Sequence, residues 1–193
     1  GILFAAKKRR AFIGDDMGLG KTVEAIGAAL FLRALGPVRR ALIICPASLK
    51  QQWKREIEKV SRADVSIIAG PARERCTLYG GARTFFLILN YELLYRDLAQ
   101  IAGLKPDLVI LNPKAGYVEM IDVYYELKKV QSLQDVPIVL LLDEKEMKTA
   151  DLPSGIQEVL YRPLRIPEAI ARLKLLFKRI HKIDQKNLIL RGK

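Results

Sequence analysis

Short runs of uninterrupted apolar residues alternate with longer amphipathic stretches along most of the chain. The runs predict strands near 11–14, 41–45, 65–69, 85–90, 107–111, 138–142 and 158–162. The amphipathic stretches predict helices near 20–35, 48–60, 92–101, 117–132 and 166–182, with a shorter helix around 146–156. Val, Ile and Leu without polar alternation mark strands buried on both faces, as in parallel sheets. Strand and helix taking turns then predict an α/β fold: a single three-layer, doubly wound domain with a mainly parallel sheet and right-handed crossovers. There is no internal repeat, low-complexity segment or linker, and Gly80-Gly81 reads as a turn. One domain over residues 1–182 is expected, followed by a basic tail at 183–193.

Local punctuation supports these elements. Gly36-Pro37 is a helix stop after the first long helix. Ser48 with Gln51 three residues on fits a capping box. Leu49, Trp53 and Ile57 recur every four residues, which assigns Trp53 to the core. In the last helix Ile166, Ile170, Leu173, Phe177 and Ile180 form one apolar stripe, and Pro167 suits its first turn. His181 is the only histidine, stands in a basic context, and is not expected to act in catalysis.

The chemistry concentrates in Gly14-Asp-Asp-Met-Gly-Leu-Gly-Lys-Thr-Val-Glu24, a Gly-rich turn between the apolar strand Ala11-Phe12-Ile13 and the helix beginning near Gly20. That context suits a phosphate-binding loop. Gly18, Leu19 and Gly20 would turn their N–H groups toward one point, where the helix N-terminus adds partial positive charge. Lys21 would reach the terminal phosphates and the Thr22 hydroxyl would ligate Mg²⁺. ATP or ADP with Mg²⁺ is the cofactor expected. The competing reading is a Gly-rich strand-to-helix turn with an exposed lysine.

Charge and cysteine content narrow the setting. The chain has 193 residues, half of them hydrophobic, enough to bury a sizeable core. Its net charge of +12 is uneven. Residues 1–105 carry 18 Lys/Arg and 9 Asp/Glu, whereas residues 106–193 carry 15 and 12. Lys7-Lys8-Arg9-Arg10 and Arg39-Arg40 are the densest basic clusters, and basic surface of this kind attracts nucleic-acid phosphate or simply remains solvated. No base-reading element is recognisable, so any DNA binding is expected to be non-specific. Cys45, in an apolar strand, and Cys76, in an expected loop, lack metal-ligand spacing. No apolar run reaches the ~18 residues that span a bilayer, and no signal peptide is evident. A reduced, cytoplasmic protein with no membrane partner is expected.

The form Asp15-Asp16-Met17-Gly18-Leu19-Gly20-Lys21-Thr22 resembles the first motif of Swi/Snf-type ATPases, the DNA translocases of helicase superfamily 2. Ala41-Leu-Ile-Ile-Cys-Pro-Ala-Ser-Leu-Lys-Gln-Gln-Trp53 is similar to the next motif, and Phe86-Leu-Ile-Leu-Asn-Tyr-Glu-Leu-Leu94 to the segment before the second acidic motif. The resemblance covers residues 1–111 and implies a P-loop, RecA-like half. It also implies that Pro46, Ala47 and Ser48 touch a phosphate backbone; Arg39 and Arg40 join them as DNA-binding candidates by charge. After Asp107-Leu-Val-Ile-Leu111 the family pattern requires Asp-Glu, but this chain has Asn112 and Pro113.

The remainder resembles the C-terminal half of a bacterial response-regulator receiver, a flavodoxin-like fold. Pro106–Pro113, Pro137–Leu142 and Val159–Leu164 look like its third, fourth and fifth strands, and residues 165–182 like its last helix. The phospho-accepting Asp aligns with Asn112 and the signature Lys with Arg162, so no phosphorelay activity is expected. The chain thus reads as a hybrid joined inside one strand, with an engineered chimera favoured over a natural lineage. Function classes remain open: a nucleotide binder with impaired or absent hydrolysis, a non-catalytic scaffold or receiver-like interaction module, or a weak ATPase using Asp143 and Glu144. These two acids follow the strand 138–142 and could approach Mg²⁺ if that strand lies beside the phosphate-loop strand. No protein partner is specified.

Overall fold

The computed structural model describes residues 20–36, 38–80, 84–112, 117–142 and 158–161, together with Ala171 and Leu175. The first helix, α1, is Gly20–Ala34. Strand β1 (Ala41–Ile44) leads through a 3₁₀ turn at Ala47–Leu49 into α2 (Lys50–Val60). Next come β2 (Val65–Ile67), α3 (Ala72–Gly80) and β3 (Phe86–Leu89). Two short helices, α4 (Tyr91–Arg96) and α5 (Leu98–Leu104), precede β4 (Leu108–Leu111). Helix α6 (Tyr117–Lys129), a 3₁₀ turn at Gln131–Leu133, β5 (Ile138–Leu142) and β6 (Glu158–Tyr161) complete the described elements.

The six strands form one sheet in the order β2-β3-β1-β4-β5-β6, and every pairing is parallel. Strand β4 is interior, with Leu42 opposite Val109 on one side and Ile110 opposite Val139 on the other. This is the expected three-layer α/β architecture. The apolar runs are continuous because both faces are covered. Ala41, Ile43, Phe86, Ile88, Leu108, Ile110, Val139 and Leu141 point into a core closed by α1 and α2, which supply Ile26, Leu32, Trp53 and Ile57. Leu42, Ile44, Leu87, Leu89, Val109, Leu111, Ile138 and Leu140 point to the other face, where Tyr79, Leu94, Ile101, Val123 and Leu127 of α3 to α6 close a second core.

Several local expectations need correction. Cys76 is not in a loop: it is exposed on α3, a helix absent from the periodicity reading. The sequence of α3, Ala-Arg-Glu-Arg-Cys-Thr-Leu-Tyr-Gly, buries only Arg75 and Tyr79, so it offers little apolar period to detect. The single helix expected over 92–101 is two, broken at Asp97 (φ −115°, ψ 20°). The capping box at Ser48 does not form. The chain already turns at Ala47, so Ser48 lies inside a 3₁₀ turn and neither Pro46 nor Leu49 makes a side-chain cap. Gly36 does end α1, with φ +95° and its N–H bonded to the Arg33 carbonyl at 3.0 Å. Trp53 is buried as the four-residue period requires. The phosphate-loop strand at 11–14, the elements at 146–156 and the apolar stripe of 166–182 lie outside the described residues.

Candidate functional site

A doubly wound sheet places ligands outside the carboxyl ends of its strands, where neighbouring strands send their connections to opposite faces. Here that place is the end of β1. Its following helix α2 packs on one face, while the helices after its neighbours β3 and β4 pack on the other. Backbone bonds tie the three strand ends together: Cys45 N–H donates to Leu89 O at 3.1 Å, and Asn112 N–H to Ile44 O at 2.9 Å. Pro46, Ala47 and Ser48 leave this edge, and Ala47 and Ser48 are exposed.

Helix α1 runs antiparallel to the strands. Its last turn lies at the opposite edge, where the Arg33 guanidinium sits 4.7 Å from the centre of the Phe85 ring just before β3. Its first turn, Gly20, Lys21 and Thr22, therefore points toward the carboxyl edge and carries no acidic residue. Thr22 is half-buried. A helix start free of acids leaves its partial positive charge uncompensated, as an anion site requires. Gly18 and Leu19 lie outside the described residues, as do Asp143 and Glu144.

The structure separates the DNA-binding candidates. Arg39 and Arg40 stand at the amino edge of β1, away from Pro46–Ser48. Their N–H groups donate to Asp107 Oδ2 at 2.8 and 2.9 Å, and the Arg40 guanidinium donates to the Leu104 carbonyl. These bonds tie β1 to the start of β4. Asn112 is buried at the end of β4. Strand β5 has β4 on one side and β6 on the other, so neither of its edges is left for the phosphate-loop strand. Among the described residues no cluster of His, Cys, Asp and Glu could hold a metal ion.

Two groups at this edge were not assigned a role from sequence. Lys50, the first residue of α2, donates from Nζ to Asn90 Oδ1 at 2.9 Å and to the Ile68 carbonyl at 3.3 Å. Burial holds its ammonium below the ordinary lysine range, against the opposing pull of Cys45 and Glu92. Burial likewise pushes the Cys45 thiol up to about 12, so Cys45 is an inert packing residue at neutral pH. A signal was present: a cation in the first turn of a helix opposes the helix dipole. Glu24, one turn into α1, is the second. Burial raises its carboxyl to about 7, and its Oε2 has no hydrogen-bond partner among the described residues.

The fold is that of a doubly wound, three-layer α/β domain. Residues 4–135 match the family model of the SNF2-related domain, so the chain belongs to that family. Curated relatives include the human DNA repair and recombination protein RAD54B, 33% identical over 112 residues. The human DNA annealing helicase and endonuclease ZRANB3 is 47% identical over 102 residues. These matches span 53% and 50% of this chain but only 12% and 9% of the relatives, so the chain corresponds to about a tenth of their length. A solved structure, the Sulfolobus solfataricus SWI2/SNF2 ATPase core in complex with dsDNA, superposes with a TM-score of 0.48 at 19% identity, covering 61% of this chain and 24% of that one. The family match runs past the strand 107–111 and so extends 24 residues beyond the 1–111 covered by the motif resemblance. No described helix is long and apolar enough to cross a membrane.

Proposed function

We propose that this chain binds ATP or ADP with Mg²⁺ on Gly18–Thr22, hydrolyses it poorly or not at all, and holds duplex DNA weakly through Pro46, Ala47 and Ser48. The observation that supports the reading is the direction of α1, whose first turn points to the same carboxyl edge of the sheet as the Pro46–Ser48 turn and Asn112. Backbone N–H groups supply most of the phosphate recognition and do not depend on an acidic motif. Thr22 would ligate the metal, and Lys21 would meet the terminal phosphates. Bound Mg²⁺ would neutralise phosphate charge there.

The defect lies at residue 112. Phosphoryl transfer needs a positioned water, a held metal ion and charge stabilisation. Asn112 has no carboxylate to offer, and its N–H is already bonded to Ile44. Residues 106–182 are further read as a receiver-like half, supported by the consecutive parallel order β4-β5-β6. On that reading the chain is a hybrid, and a non-catalytic scaffold is its alternative function. Phosphate release from Mg·ATP, with and without duplex DNA, is the test. No turnover above background is expected. Turnover abolished by Asp143→Asn or Glu144→Gln would overturn the reading in favour of a substitute acidic pair.

A further inference from the structure

Asn90 is the residue before α4 and has the extended backbone of a helix cap (φ −101°, ψ 164°), yet its side chain caps nothing. An asparagine there ordinarily accepts from the N–H groups of the next helical turn. Its carbonyl oxygen instead accepts from Lys50 Nζ at 2.9 Å, and its Nδ2 donates to the Glu92 carboxylate. The half-buried Lys50 ammonium makes this contact and a second one to the Ile68 carbonyl at 3.3 Å. One ammonium thus joins the start of α2 to the ends of β2 and β3. Two local preferences, a capped helix and a solvated lysine, are overridden at one point, which is where a constraint beyond folding is expected.

The segment held in place is the 3₁₀ turn that leads into Lys50. Leu49 N–H donates to Pro46 O at 2.9 Å, and Lys50 N–H donates to Ala47 O. Without the ammonium, these bonds would keep the turn's shape, and its position on the sheet edge would rest on packing and on the backbone bond from Cys45 to Leu89. We propose that Lys50 is a positioning residue that, with Asn90, fixes the Pro46–Leu49 turn in the place where it meets a DNA phosphate backbone. This rests on the DNA reading given above. On this proposal Lys50 acts through the turn and not by touching DNA, since two of its three ammonium donors are engaged within the protein.

Salt dependence separates positioning from contact. Each phosphate neutralised adds about −0.9 to the log–log slope of affinity against salt on duplex DNA. Duplex-DNA anisotropy over a salt series should show Lys50→Met binding roughly tenfold more weakly with an unchanged slope, and Asn90→Ala, which keeps every charge, should do the same. Amide hydrogen exchange at Leu49 and Lys50 should quicken in both variants. A slope reduced by about 0.9 in Lys50→Met, or affinity and exchange equal to the parent chain, would overturn the proposal. If the parent chain binds no DNA, the DNA reading falls. Exchange at Leu49 and Lys50 then still decides whether Lys50 holds the turn: unchanged exchange refutes it. Should Lys50→Met fail to fold, Asn90→Ala carries both readouts.

Discussion

Replacing Asp97 by alanine should destabilise the chain strongly. Asp97 sits at the break between α4 and α5, with its side chain almost fully buried. It accepts from Arg75 Nε at 2.6 Å, from Arg75 Nη2 at 2.7 Å and from the Tyr79 hydroxyl at 3.1 Å. Arg75 Nη1 also donates to the Gly70 carbonyl at 2.8 Å, so the pair fastens α3 and the turn before it to the α4–α5 corner. Removing one member of a buried, fully bonded pair costs about 3–5 kcal/mol, because the remaining charge is left unpaired. Asp97→Ala should fall in that range, and Asp97→Asn nearer 1.5–3 kcal/mol, the range for hydrogen bonds to a charged group. The bonds from Arg75 hold the Asp97 carboxyl below its ordinary value of 3.8. Its stabilisation is therefore complete above the unfolded carboxylate value and is lost as pH falls through the lower folded one. Urea unfolding across pH is the assay. The variants should lower the midpoint with little change in m, and Asp97→Asn should lack this acid-dependent component. Replacing both partners with apolar residues should cost less than Asp97→Ala alone. A loss below about 1 kcal/mol for Asp97→Ala, the surface-pair value, would refute the reasoning.

Trp53→Ala should cost about 3–5 kcal/mol in denaturant unfolding, since the indole is fully buried beneath α1. Glu24 has its folded value raised from 4.5 to about 7, so stability should decline as pH rises across that interval and level off above it. Glu24→Gln should flatten that part of the urea midpoint profile, and an unaltered profile would contradict the assignment. Asp107→Ala should leave the Arg39 and Arg40 N–H groups without their shared acceptor and speed their amide exchange, while leaving DNA affinity unchanged.

The sheet was legible because its signal is simple. Leu108–Leu111 and Phe86–Leu89 are apolar at every position, and only burial on both faces accounts for that. Trp53 was legible from its four-residue spacing. Helix α3 was not, because its anchor is an ion pair: Arg75 and Asp97 lie 22 residues apart and carry no periodic mark. The lost cap at Ser48 has the same kind of cause. Local preference favours Ser as a cap, but the chain after Pro46 turns one residue earlier, and Lys50 reaches the sheet edge. Arg39 and Arg40 read as a basic cluster, yet their backbone serves Asp107 at the edge away from the candidate site. The phosphate-loop reading of Gly18–Thr22 rests on residue types and their order, while the change from acid to amide at residue 112 is visible only against a family pattern.

The central claim is that phosphate recognition at Gly18–Thr22 persists without the acidic motif. Titration of the full chain with ADP and with ATP, in the presence and absence of Mg²⁺, tests it most directly, with Lys21→Ala beside the parent. Saturable binding to the parent is predicted, with Lys21→Ala weaker by about 1.5–3 kcal/mol at an unchanged urea midpoint. No saturable binding to the parent, or equal affinity in the two proteins, would contradict the account.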